Sequence, residues 1–135
     1  MIVTVSQKEA KVISVQKRKP PEIMEVIARQ SRRRGTNWCV ALTPNQGEGA
    51  RITIVPIRAG ILMHFAGSED HAKRAAQFCD AEGLQVFDHI GTWPTANCVA
   101  FCVEKPKASE MVRSFVKGVF GLTDADQLTL AIAKY

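Results

Sequence analysis

The chain lacks any long apolar run, so no segment is long enough to cross a membrane as a helix, and no membrane insertion is expected. MIVTVSQKEAK lacks the cationic head, apolar block and small-residue cleavage site with which a secreted protein starts, so the cytoplasm is the expected compartment. Aromatic residues are scarce at 7%, with a single tyrosine. Its four cysteines show no CxxC or zinc-ribbon spacing, so neither a disulfide scaffold nor a structural metal is expected. GxSxG, the Walker loop and GxGxxG are absent, as are HxH and HExxH. The sequence therefore supplies no catalytic residue, no cofactor signature and no metal ligand set, and an enzyme is the less favoured reading. Asp124 and Asp126 make a DxD spacing, which reads as a turn or cap unless other acids converge on it.

What is present is one domain's worth of chain. At 135 residues, with 46% apolar and 23% charged residues, it can close a core without staples. Residues 1–135 read as a single domain, with a β-rich basic arm or hairpin over 1–19 and a core over 20–135.

The charge is lopsided. Nine Lys and Arg against three acids fall within residues 1–35, whereas the remaining hundred residues hold nine bases and ten acids. Such asymmetry suggests an anionic partner. The candidate binding residues are Lys17, Arg18, Lys19, Arg29, Arg32, Arg33 and Arg34, with Trp93, and also Trp38, available to stack on a base. The competing explanation is that the arginines complement a helix C-terminus.

Periodicity supplies the element order. IVTVS (2–6) and KVISVQ (11–16) are β-branched and strand-like. Pro20 and Pro21 suit a helix start, and Ile23, Met24, Val26 and Ile27 carry a helix over 21–33, with Gly35 as its stop. NWCVALT (37–43), RITIVPI (51–57) and ILMHFA (61–66) read as an antiparallel meander, with Pro56 marking a strand end, bulge or edge. Ser68 caps a helix over 69–82, whose stripe is Ala72, Ala75, Ala76 and Cys79. Strands over 84–90 and 97–103 follow, then a helix over 109–120 striped by Val112, Phe115, Val116 and Val119 and stopped by Gly121. QLTLAIA alternates as a last strand, although TDAD before it would equally cap a short helix. Cys39, Cys79, Cys98 and Cys102 read as small buried side chains. Cys98 and Cys102 lie four strand steps apart, roughly 13 Å, too far to share a metal or a disulfide. His64 reads as a sheet histidine and His71 as a solvated one. The fold class expected is α+β: a mainly antiparallel sheet, built on a three-stranded meander plus further strands, with about three helices packed on it.

The helix–three strands–helix–two strands–helix order within 21–120 resembles that of the small type III secretion chaperones and related secretion-chaperone-like domains. The resemblance covers about three quarters of the chain and rests on element order, with no shared motif. It implies a homodimer that binds an extended segment of a partner, and it carries over no residue. One departure is charge, since those chaperones are typically acidic and this chain is basic. The function expected is a non-enzymatic binding module or adaptor for a protein partner. A nucleic-acid-binding protein using the basic N-terminal third is the alternative, and a small-ligand site or motif-free enzyme is the second alternative. Short terminal strands with unpaired backbone groups also lead us to expect a homodimer.

Overall fold

The computed structural model describes residues 11–33, 35, 37–44, 50–87 and 98–134. Expectations for IVTVS (2–6), Arg34 and Trp93 lie outside these residues, as do the parts of the expected strands at 88–90 and 97. The described elements run β1 (Lys11–Arg18), α1 (Pro20–Ser31), β2 (Trp38–Pro44), β3 (Arg51–Ile57), β4 (Gly60–Ala66), α2 (Glu69–Ala81), β5 (Val86–Phe87), β6 (Cys98–Val103), α3 (Ala108–Phe120) and β7 (Leu128–Lys134). The seven strands form one sheet in the order β1-β7-β2-β3-β4-β6-β5, and every neighbouring pair is antiparallel. This is an α+β fold, with the expected meander as β2-β3-β4.

The local chemistry of the helix ends is legible. Lys19 caps α1 with its backbone N–H donating to Glu22 Oε1 at 3.0 Å, and the two prolines fill the first turn, where a missing N–H costs nothing. Ser68 Oγ accepts from the His71 backbone N–H at 3.2 Å, and Gly121 ends α3 in the left-handed region at φ 68°. The β3–β4 turn is only Arg58–Ala59. It is closed by Gly60 at φ 145°, where a Cβ would run into the Val103 carbonyl oxygen.

All three helices cover one face of the sheet. Alternate strand residues, including Leu42, Ile54, Met63, Phe101 and Leu130, meet Ile23 and Ile27 of α1, Ala75 and Cys79 of α2, and the Val112, Phe115, Val116 and Val119 stripe of α3. Phe115 is the hub of that layer. Its ring centroid lies 5.4 Å from Phe78 and 5.7 to 5.8 Å from Phe65, Phe101 and Phe120. Among the described residues the opposite face holds two small apolar satellites, Cys39 with Val55 and Ala133, and Leu62 with Ala100.

Several expectations need correction. α1 ends at Ser31, with Arg32 as its C-cap, so Arg32 and Arg33 lie at and beyond the end rather than in the last turn. The Arg32 Nε donates to the Ala28 carbonyl at 3.2 Å and satisfies a terminal acceptor from outside the helix. Ala76 is exposed, because the sheet is reached by Ala75 and Cys79 and the stripe narrows. Pro56 keeps its expected place near a strand end, as the penultimate residue of β3 and beyond the last residue that β2 pairs. Its missing N–H is tolerated because β2 pairs only with Ile52, Thr53 and Ile54. Trp38 is buried at 2% exposure on the helix-covered face, where it cannot stack on a base. His71 is half-buried, edge-on to Phe65 and Phe120. Cys39 and Cys79 are buried as expected, but Cys98 and Cys102 on β6 are only half-buried.

Candidate functional site: the β1 end of the sheet

β1 is the outermost strand at one end of the described sheet and pairs with β7 from Lys11 to Arg18. A β-bulge between Val12 and Ser14 places Ile13 out of register. Val12, Ile13 and Val15 are 63%, 59% and 63% exposed. The fourth large apolar side chain left exposed among the described residues, Val86, stands on the short strand at the other end of the sheet. Nothing in the charge pattern pointed to these valines. Their signal was the β-branched run KVISVQ, which marks a strand without saying whether anything covers it.

The basic candidates divide between the two faces. Lys17 lies opposite Thr129 and points to the face away from the helices, whereas Arg18 lies opposite Leu128 and points to the helix side. Arg18 and Arg29 line one cavity between β1 and α1, together with Glu22 and Glu25. Arg29 and Arg32 line a second, open groove with Glu25 and Ser109. The fold thus gathers Arg18, Arg29 and Arg32 around α1, sets Lys17 on the other face, and uses Lys19 as a cap. Carboxylates from Glu22 and Glu25 interrupt the basic cluster, so it is not a continuous cationic track of the kind that phosphates follow.

At the far end of α1, sequence reasoning missed a group of buried polar atoms. Gln30 Oε1, Ser31 Oγ and Trp38 Nε1 are buried without a hydrogen-bond partner among the described residues. Gln30 is also a wall of the β1–α1 cavity. No sequence signal marks these atoms, because glutamine on a helix face is ordinarily solvated.

The remaining titratable clusters are structural. Asp124 receives the Arg113 guanidinium, with Nε to Oδ1 at 3.1 Å, and the Lys117 ammonium at 3.1 Å. The Arg113 hydrogen bond foremost holds the Asp124 carboxyl below the usual range, and the contact ties α3 to the turn before β7. Asp126 accepts from the Thr123 backbone N–H at 2.7 Å and closes that turn. The DxD pair is therefore committed to local structure. Burial pushes the Cys79 thiol up to about 11 and raises Cys102, which leaves both as weak nucleophiles at neutral pH. His64 is 4% exposed, and burial foremost, with Arg51 second, lowers it to about 4, so it is neutral at physiological pH. No group of three His, Cys, Asp or Glu residues suited to a metal occurs among the described residues.

No family model, no curated protein and no solved structure matches this chain. Its function is therefore read from the site alone.

Proposed function

We propose that this chain is a non-enzymatic protein-binding module that engages an extended segment of a partner protein along β1. The observation that carries the reading is the exposure of Val12, Ile13 and Val15 on the outermost described strand. An apolar strip rimmed by charge is the composition of a protein-docking surface, and a sheet end favours an added strand. The rim is basic, with Lys11 at one end of the strand and Lys17 and Arg18 at the other, so the partner segment carries acidic residues flanking apolar ones. The same charges disfavour a second copy in this place. An antiparallel β1–β1 pair centred on Ser14 and Val15 would set Lys11 opposite Arg18 of its mate. The helix–three strands–helix–two strands–helix order is present from Pro20 to Phe120, in keeping with a secretion-chaperone-like module. Fold analogy adds little weight to function by itself.

The alternative is nucleic-acid binding through the arginines around α1, against which the interleaved Glu22 and Glu25 stand. One set of titrations separates the readings. A peptide of alternating valines flanked by aspartates should bind with saturation and weaken with salt. Its lysine-flanked counterpart should not bind, and Val12→Ser with Val15→Ser should abolish binding while leaving the far-UV circular dichroism unchanged. Failure of the aspartate peptide to bind would sink the protein reading. Generic DNA or RNA binding whose salt dependence flattens on Arg29→Ala with Arg32→Ala would replace it with the nucleic-acid one. A dimer in sedimentation that dissociates on the valine substitutions would assign the strip to a second copy.

A further inference from the structure

Backbone pairing with β7 is the main tie between β1 and the rest of the fold. None of the eight β1 residues is buried, and β7 is the one described strand beside it. Gln16 Nε2 donates to Ser14 Oγ at 2.7 Å and Arg18 Nη1 to the Lys17 carbonyl at 3.2 Å, so both side chains bond within the strand itself. On the helix side a cavity of about 400 Å³ lies between β1 and α1. The seat is also imperfect. The bulge at Ile13 interrupts the ladder, and Lys11 lies directly opposite Lys134, two like charges of which neither forms an ion pair among the described residues. β7, by contrast, pairs with β2 over all seven of its residues and buries Leu128 and Leu130. A strand without buried side chains opens locally at a small fraction of the global unfolding free energy, and β7 keeps its place when β1 leaves.

Opening uncovers a row of unpaired N–H and C=O groups along the β7 edge, a template for an incoming strand. Charge decides the occupant. The β1 of a second copy would bring Lys11 to Lys134 again, with contacts identical to those it replaces. It would also compete with an arm joined to α1 through Lys19 alone, whose effective concentration is high. A strand with a carboxylate in that position turns the repulsion into an ion pair and so gains over β1 itself. We propose that β1 is a displaceable cover over a second interaction edge on β7, and that the edge is taken by an extended partner segment carrying an acidic residue opposite Lys134. This edge is separate from the valine strip, and the inference holds whether or not a partner lies along the outer side of β1.

Two measurements on the full chain test it. In amide hydrogen exchange, N–H groups bonded between β1 and β7 should exchange about a hundredfold or more faster than those bonded between β7 and β2. In fluorescence anisotropy, a labelled peptide of residues 11–18 carrying Lys11→Asp should bind one site about threefold or more tightly than the unaltered peptide. Against the Lys134→Glu chain that order should reverse. Val12→Ser with Val15→Ser in the chain should leave this binding at full strength, because the peptide replaces β1 rather than lying on it; loss of binding on those substitutions would assign the peptide to the valine strip and overturn the proposal. Equal exchange rates on the two sides of β7, or no binding by the Lys11→Asp peptide, would also overturn it. So would a preference unmoved by Lys134→Glu, or tighter binding by the unaltered peptide, which would give the edge to a second copy of this chain.

Discussion

β1 and β7 are neighbours of nearly equal length, paired along their whole run, and both carry β-branched residues, Val12, Ile13 and Val15 on β1 and Thr129 and Ile132 on β7. Their fates differ. β7 has β1 on one side and β2 on the other, and its Leu128 and Leu130 are fully buried beneath the helices. β1 has β7 alone beside it among the described strands, and its valines stand more than half exposed. Composition thus marks a strand but does not set burial. Burial follows from the number of neighbours and from what lies over the face. The apolar side chains that β1 exposes add little to the fold, and that leaves them to a partner.

The sharpest way to break this contrast is at Leu130. Leu130→Ala should cost about 2–5 kcal/mol in urea unfolding, the range for a buried leucine whose site collapses incompletely. A cost near zero would mean that β7 is not the core strand described here. A second comparison runs along the face away from the helices, where Val15 is 63% exposed and His64, nearer the middle of the sheet, is 4% exposed. His64 is lowered from 6.5 to about 4 in the folded protein, by burial first and Arg51 second. Above pH 6.5 both folded and unfolded forms are neutral, and stability from this group is full. As pH falls from 6.5 towards 4 only the unfolded chain takes up the proton, so stability should drop by about 3 kcal/mol, with no further loss from this residue below that window. Urea titrations across the window should show the slope, and His64→Leu should flatten it. An unchanged slope in His64→Leu would place the pH dependence elsewhere.

The smallest expected effect is on β1. Val15→Ser should change stability by about 0.5 kcal/mol or less, since little apolar surface is withdrawn from water there. A cost comparable to that of Leu130→Ala would show that Val15 is covered in solution and would remove the free strip on which the partner reading depends.

Much of the fold was legible in the sequence because its periods are clean. The Val112, Phe115, Val116 and Val119 stripe spans α3 and all four are buried, while alternation over 128–133 settles as β7 rather than a helix. Ends were less legible. Arg32 and Arg33 have good helical propensity, yet α1 stops at Ser31, and the Arg32 side chain then serves the terminal carbonyl of Ala28. The candidate site was legible only in part. Charge counting found Arg18 and Arg29, but it summed the basic residues along the chain and could not see Glu22 and Glu25 returned to the same cavity. Gln30 was invisible because nothing in its neighbours says that its amide is enclosed.

Local chemistry alone determined the strand and helix segments, the caps at Lys19 and Ser68, the left-handed stop at Gly121 and the β3–β4 hairpin with its two-residue turn. Each of these depends on residues within a few positions of one another, where φ preference, side-chain period and turn length act directly. Only the tertiary structure decided that the C-terminal strand inserts between β1 and β2, so that Leu130 meets Gln16 on one side and Leu42 on the other. Backbone hydrogen bonds between strands are the same for any side chain, so alternation reveals which face is apolar and not which strand lies alongside. That choice is made by the whole helix layer, through the Phe115 hub and the Arg113–Asp124 tie that brings the chain back from α3 into β7. The cavity beside Gln30 follows from the same insertion, because it sets β1 outside the reach of α1.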